Sequence, residues 1–327
     1  MIKELSTGRL QRTRQTLQTA TPEILSVLGS IYFDKVNQWL PALENGHQDP
    51  ALLDVMRVSL LSIKILRRLL IAGYDFPHRN TEVHDFWRLT FTQVDAFITL
   101  ISRQSQTGLA SDYILLVEKQ LLQLSKLHLE MAKQHPAAFV LLPNSLDLVR
   151  AYWGLIKQYA EAFGSHQTPM SGTNGTKKSN TDDRPVLEKL SLKGLLLIRA
   201  CIKMVFSPAQ TFRYRHQQEK EEKAQAETAV KDDLLSRSFV EDIMNTTVTK
   251  FFMIQQAELQ EWQEDPEEWE GKEENDSEGF EFSIRPCAEK LFLDVALNYK
   301  GVLVGPLLQV FASVASKSHN HTQSTVY

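Results

Sequence analysis

Residues 53–70 read LDVMRVSLLSIKILRRLL, and the spacing of their apolar positions decides the fold class. Leu53, Met56, Leu60, Ile63, Leu66 and Leu70 recur at steps of three and four, the period of one face of an α-helix. Lys64, Arg67 and Arg68 fall at the edge of that stripe, and Gly73 and Pro77 supply the stop signals. The stretch therefore predicts a helix over about 51–72 with one face buried against neighbouring elements.

The same period runs outward in both directions. Upstream, Thr21-Pro22-Glu23 has the grammar of a helix start: a hydroxyl to cap the first amides, then a proline whose missing N–H costs nothing at the first helical position. The helix from there to about Leu40 turns Ile24, Leu28, Ile31, Phe33 and Val36 inward. Downstream, helices are expected at about 80–104, 111–134, 144–163 and 186–206. A mixed-charge helix over 213–233 and an amphipathic one over about 236–255 follow. Ser283 then caps a helix running to Asn298, carrying Ala288, Leu291, Phe292, Val295 and Leu297, and a last helix spans about 302–315.

No alternating strand or Asn-Gly hairpin signal interrupts this pattern, so the chain reads as all-α. Long helices broken every 30 to 40 residues or so suggest hairpins stacked in a solenoid, each repeat burying its neighbour's apolar face. No consensus residue recurs at a set position, which argues against tetratricopeptide and ankyrin arrays and leaves the degenerate HEAT-like class. The organisation is then HEAT-like repeats over 1–164, a flexible loop over 165–184, and further repeats with a charged helical insertion over 185–257. An acidic insertion over 258–281, a HEAT-like repeat over 282–315 and a disordered tail over 316–327 complete it.

Composition bounds the function. Apolar residues make up 43% and charged residues 23% of the 327, which is the balance of a chain that folds around a core. Charge is segregated: between 258 and 281 twelve Asp or Glu face only Lys272, giving −11 and leaving +7 for the rest of a chain whose total is −4. Direct nucleic-acid binding would have to rest on small patches such as Arg9, Arg12 and Arg14, and is not expected. Cys201 and Cys287 stand far apart without ligand spacing, so neither a disulfide framework nor a zinc site is indicated. The N-terminus lacks the apolar core of a signal peptide, and the uncharged run from Gly301 to Ser316 is too short to span a bilayer, so no membrane insertion is expected.

Catalysis needs convergent polar groups, and the sequence offers none. His78 and His84 lie six apart rather than four, and His319 and His321 form a lone pair near the C-terminus, so the nine histidines are expected at the surface or at helix ends. GxSxG, HExxH and glycine-rich phosphate loops are absent, and Cys201 in LLLIRACIKMVF behaves as a small hydrophobe. An enzyme is not expected, nor any cofactor. Lys64, Arg67 and Arg68, with Lys193, Arg199 and Lys203 on the later helix, either line a binding face of stacked repeats or merely solvate their helices.

The acidic stretch EWQEDPEEWE, residues 261–270, has a grammar of its own. Asp265, Pro266 and Glu268 fit the N-cap, first and third positions of a short helix, closing a capping box. Trp262 before it and Trp269 within it are expected to pin it to the repeat stack, with the carboxylates outward. Such a surface attracts basic partners, or else it is a solvated loop anchored by two aromatics.

The run WQEDPEEWEGKEENDSEGFEFSIRPCAEKLFLDV, 262–295, resembles the central acidic insertion of importin-β-type (karyopherin-β) nuclear transport receptors, and SIRPCAEKLFLDV within it resembles the importin-eleven branch of fungal type. KELSTGRLQRTRQTL, 3–17, and the helix at 53–70 are similar to early-to-middle HEAT repeats of that branch. The resemblance implies a right-handed superhelical solenoid of HEAT-like hairpins, of the armadillo type, carrying protein cargo through nuclear pores under control of the GTPase Ran. It implies Ran, basic protein cargo and nuclear pore proteins as partners, and residence in nucleus and cytoplasm and at the nuclear envelope. Trp262, Glu264, Asp265, Glu267, Glu268, Trp269 and Arg285 are the candidate partner-binding residues. Because such receptors are much longer, the resemblance also implies a fragment or a truncated gene model, without the most N-terminal repeats or the C-terminal arch. The competing reading is a HEAT-repeat scaffold in a stable cytoplasmic complex.

Overall fold

The computed structural model describes residues 11–103, 108–163, 184–207, 217–253, 256–267, 270–271 and 279–323. Among them no strand occurs. In chain order the helices are α1 (Gln11–Glu44), α2 (Pro50–Ala72), α3 (Thr81–Ser102), α4 (Ser111–Gln134), α5 (Pro136–Leu141) and α6 (Ser145–Phe163). They continue as α7 (Val186–Phe206), α8 (Gln217–Ala229), α9 (Arg237–Thr246), α10 (Gln256–Glu264), α11 (Ile284–Asn298) and α12 (Lys300–Gln323). The chain divides into two compact units, Met1–Leu148 with Tyr214–Ala226, and Val149–Arg213 with Glu227–Tyr327.

In the first unit α1 packs on α2, α3 on α4, α1 on α3 and α2 on α4, the pairing of two hairpins stacked in register. Polar contacts between them recur at nearly constant sequence separation. Arg14 meets Asp75 at 2.5 Å, the Tyr32 hydroxyl donates to Gln93 Oε1 at 2.6 Å, and Gln48 accepts from the Ala110 amide at 2.8 Å. Arg67 pairs with Glu130, and a His135 ring nitrogen lies 2.8 Å from the Ile71 carbonyl. Their separations are 61, 61, 62, 63 and 64 residues, so the repeating unit is a whole hairpin, and the breaks seen in the sequence mark its halves.

α2 matches its sequence reading. Asp49 caps it by accepting from the Ala51 amide at 2.9 Å, and Met56, Leu60, Ile63, Leu66 and Leu70 are buried. α1 departs from expectation. It begins by Gln11 and runs straight through Pro22, and the Thr21 hydroxyl, instead of capping a new helix, donates back to the Leu17 carbonyl at 2.7 Å. Pro22 itself lies on the exposed side of the helix. The buried stripe is Leu17, Thr21, Leu25, Tyr32, Val36, Trp39 and Leu43. Of the five residues expected inside, only Val36 is fully so; Ile31 is exposed, and Ile24, Leu28 and Phe33 are half-buried.

Two aromatics set that rotation. Tyr32 and Trp39 each bury more surface than an Ile or Leu, and each finds a partner for its polar tip, Tyr32 on Gln93 and Trp39 on the Ser59 hydroxyl at 3.1 Å. The helix turns to satisfy them and leaves Ile31 outside. Gly73, at the end of α2, comes so close to α1 that a Cβ there would lie 2.2 Å from Thr21 Oγ1. Deeper in, Trp87 stacks edge-on to His128 and Phe139 and donates to the Ser145 hydroxyl at 2.9 Å.

The second unit repeats the scheme with longer connections. α6 and α7 approach at Gly194, where a Cβ would stand 3.0 Å from Ile156 Cδ1. α6 meets α9 and the π-helical turn after it, Thr247–Phe251, through three polar contacts. The Trp153 indole and Lys157 reach Asp242 at 2.7 and 3.0 Å, and Lys250 reaches Glu161 at 2.8 Å. α7 packs on α11, and α9 on α12. Equivalent contacts are now 85 to 95 residues apart, because 164–183 and 254–283 are inserted within hairpins. The flexible loop expected at 165–184 lies outside the described residues except for Arg184. α12 is helical to Gln323, beyond the expected end near 315 and into the expected tail; 324–327 lie outside the described residues.

Candidate partner-binding segment

The acidic stretch emerges from the second unit between α9 and α11. α10, Gln256–Glu264, precedes it and was not foreseen, because its polar residues carry no apolar stripe. Trp262 and Glu264 therefore lie on a helix, with Gln260 donating to Glu264 at 2.9 Å. The Asp265 amide still donates to the Glu261 carbonyl at 3.0 Å, Asp265 itself is non-helical, and Pro266 and Glu267 are helical again. A helix start at Asp265-Pro266 thus stands where its grammar put it, and the capping partner Glu268 lies outside the described residues.

Glu264, Asp265 and Glu267 are exposed. So is Trp262, at 47% of its surface, which corrects the expectation that it pins the segment to the stack; Trp269 lies outside the described residues. An indole half in water beside three carboxylates is an amphipathic surface rather than an anchor.

Anchoring comes from the exit side. A 3₁₀ turn, Gly279–Glu281, leads into α11, and two arginines of the opposing helix region hold it. Arg184 donates to the Phe282 carbonyl at 2.5 Å. Arg199 places its guanidinium 4.6 Å from the Phe280 ring centroid and donates to Asp294 at 2.7 Å. With its side chain 7% exposed, Arg199 is a framework residue, not part of an open basic face. A delocalised fork that stacks and pairs at once is what lets an arginine be buried there. Arg285, in the first turn of α11, is 8% exposed and sits at this root rather than on the surface with the carboxylates. Ser283 is at the N-cap of α11 but makes no side-chain capping bond.

The other expected basic edge divides in the same way. Arg67 is engaged by Glu130, whereas Lys64, Arg68 and Lys203 are exposed. Both cysteines are buried, which pushes their thiols up to about 12 and leaves them unreactive. The histidines depart from their reading. His128 is fully buried, with a ring nitrogen 3.1 Å from the Thr90 hydroxyl, and burial holds its pKa down at about 3. His78 is also largely buried. The signal for His128 was its register, seven residues after Leu121 on the apolar face of α4. Among the described residues no helix is long and apolar enough to cross a membrane.

No family model matches the chain. It is 28% identical over 321 residues to the importin beta-like protein KAP120 of Saccharomyces cerevisiae, an alignment covering 98% of this chain and 29% of that one. Human importin-11 is 24% identical over 320 residues, covering 96% and 29%. The importin beta-like protein kap113 of Schizosaccharomyces pombe is 20% identical over 333 residues, covering 99% and 31%. Among solved structures, that of Lph2, described as a novel bidirectional nuclear transport receptor in S. cerevisiae, superposes with a TM-score of 0.73 at 26% identity. That match covers 95% of this chain and 27% of the other. The chain thus spans less than a third of the length of the relatives it matches. By sequence along nearly its whole length, and by its stacked helical hairpins, it is similar to the importin-β-like nuclear transport receptors of the importin-11 branch.

Proposed function

We propose that the chain is a segment of a nuclear transport receptor whose acidic insertion docks basic protein cargo and the GTPase Ran during nucleocytoplasmic protein import. Trp262, Glu264, Asp265, Glu267, Glu268 and Trp269 form the docking surface, with Arg285 supporting its root. Nuclear pore proteins are further partners, and the receptor moves between cytoplasm and nucleus by way of the nuclear envelope. The chemistry asked of it is non-covalent recognition.

One observation carries the reading. Exposed carboxylates and a half-exposed indole are concentrated on a segment of charge −11, while its exit is held by a buried arginine. A strong local field on a rigid root raises the encounter rate with Lys- and Arg-rich surfaces and fixes their orientation. An indole among the acids adds apolar contact area once a partner arrives.

The experiment is a pull-down with Ran in its GTP and GDP forms, using this chain and a version extended at each end with receptor sequence. Capture by the extended version that responds to the nucleotide supports transport. Nucleotide-independent capture would overturn it in favour of a static scaffold.

A further inference from the structure

A second polar cluster, opposite in sign to the acidic insertion, lies at the turn between α2 and α3. There Arg79 spreads its guanidinium over the Phe76 ring, 3.9 Å from the centroid. Its Nε and Nη2 donate to Glu222 Oε1 and Oε2 at 2.8 and 2.7 Å, a two-pronged grip on one carboxylate. His78 Nε2 lies 3.1 Å from the same Oε2. Glu222 belongs to α8, 143 residues further on, and residues 214–226 are grouped with the first unit although both flanks belong to the second.

The pocket is built by its own turn. Pro77 is buried, the Arg79 amide donates to the Phe76 carbonyl at 3.1 Å, and the Asn80 side chain donates to the same carbonyl at 3.0 Å. His84 holds the His78 carbonyl at 2.5 Å. Stacking on Phe76 fixes the plane of the guanidinium whether or not a carboxylate is present. What α8 brings is slight by comparison. Glu219, Glu222, Lys223 and Ala226 lie at helical spacing on its sheltered side, and of the helix only Ala226 is fully buried. With so little apolar surface involved, charge rather than packing holds α8 on the turn.

We propose that the turn at 76–79 is a recognition site for an acidic peptide segment of a partner protein, and that α8 fills it with Glu222 as a built-in competitor. The site is a preorganised fork matched to a carboxylate, and the helix occupying it is the kind of polar, weakly buried element that a denser run of carboxylates displaces. This stands apart from the role of the acidic insertion, which lies in the other unit and recognises the opposite charge.

The test compares the chain with its Glu222→Gln variant for binding a fluorescently labelled oligoglutamate peptide by anisotropy at low salt. Removing the internal carboxylate is expected to tighten peptide binding by ~tenfold, the worth of one charge-assisted contact. Adding Arg79→Gln to that variant is expected to abolish the gain, and Glu222→Asp is expected to fall between. Hydrogen exchange over 217–229 should quicken in Glu222→Gln while α1–α4 stay protected, which shows that the variant is folded. Unchanged peptide affinity in Glu222→Gln, or a gain that survives Arg79→Gln, would overturn the proposal.

Discussion

Gly73→Ala is the substitution whose outcome the packing of α1 on α2 determines most sharply. The backbone at Gly73 is ordinary right-handed helix, φ −88° and ψ −9°, so alanine meets no conformational penalty and by chain entropy alone would stabilise by about 0.4–1 kcal/mol. The contact decides otherwise. A Cβ at this position stands 2.2 Å from Thr21 Oγ1 and 2.7 Å from both Thr21 Cγ2 and the Leu69 carbonyl oxygen. Thr21 is fully buried with its hydroxyl committed to the Leu17 carbonyl, and Leu69 O accepts the Gly73 amide at 2.7 Å, so neither neighbour can retreat cheaply. Overpacking of this kind costs about 1–3 kcal/mol, more than the entropic gain. For a unit of this size each kcal/mol lowers the thermal midpoint by about 2–4 °C. The assay is thermal unfolding of the chain, Gly73→Ala, Thr21→Ala and the double variant. Thr21→Ala removes two of the three close atoms, so the double variant is expected to be more stable than the two single losses added together. A Gly73→Ala midpoint equal to or above that of the parent chain, or strict additivity in the cycle, would rule out the clash with Thr21 as the deciding contact.

Two further predictions follow from buried polar groups. Arg199→Met strands Asp294 and removes the cation from Phe280, at an expected cost of about 3 kcal/mol; the denaturation midpoint should fall and proteolysis near 279–283 should quicken, with Asp294→Leu restoring much of the midpoint. His128 titrates near 6.5 when unfolded but at about 3 when folded, so its contribution is complete above pH 6.5 and is lost as pH falls towards 3. At pH 5 the loss is about 2 kcal/mol, and the midpoint of His128→Gln should fall less steeply between pH 6.5 and 4.5 than that of the parent chain. His78 and His135, whose pKa values burial also lowers, leave a residual slope in the same direction.

Helical class and most element positions were legible because apolar periodicity is a local property. α2, α3, α4, α6 and α7 lie within a residue or two of where that period puts them. What the period does not encode is which of two adjacent stripes faces in. On α1 the stripe through Ile24, Leu28 and Ile31 competes with one through Leu25, Tyr32 and Trp39, and partners on α3 and α2 that no local rule can see decide it. Pro22 misled for a similar reason: the helix runs through it with the proline on the exposed side, and that depends on which face is out. The hairpin repeat was hidden by its length and by insertions that stretch it from about 61 residues to 85 or more.

The acidic segment was legible as composition and as helix grammar, and the exposure of Glu264, Asp265 and Glu267 agrees with both. Its support was not legible. The basic edge at Arg199 looked like part of a binding face, yet its partner Asp294 lies 95 residues away and turns it into a buried brace. Trp262 shows the converse error: a large aromatic invites an anchoring role, while here nearly half its surface is open.

The proposed docking role requires the acidic segment to recognise basic partners through its field. The decisive measurement is the affinity for a basic peptide, at 50 mM and 300 mM salt, of the parent chain and of a variant with Glu264, Asp265, Glu267 and Glu268 replaced by Gln or Asn. A large loss is expected in the variant at low salt that shrinks at high salt, where both affinities converge. An equal loss at both salt concentrations, or no loss at low salt, would rule out recognition by the field of these carboxylates.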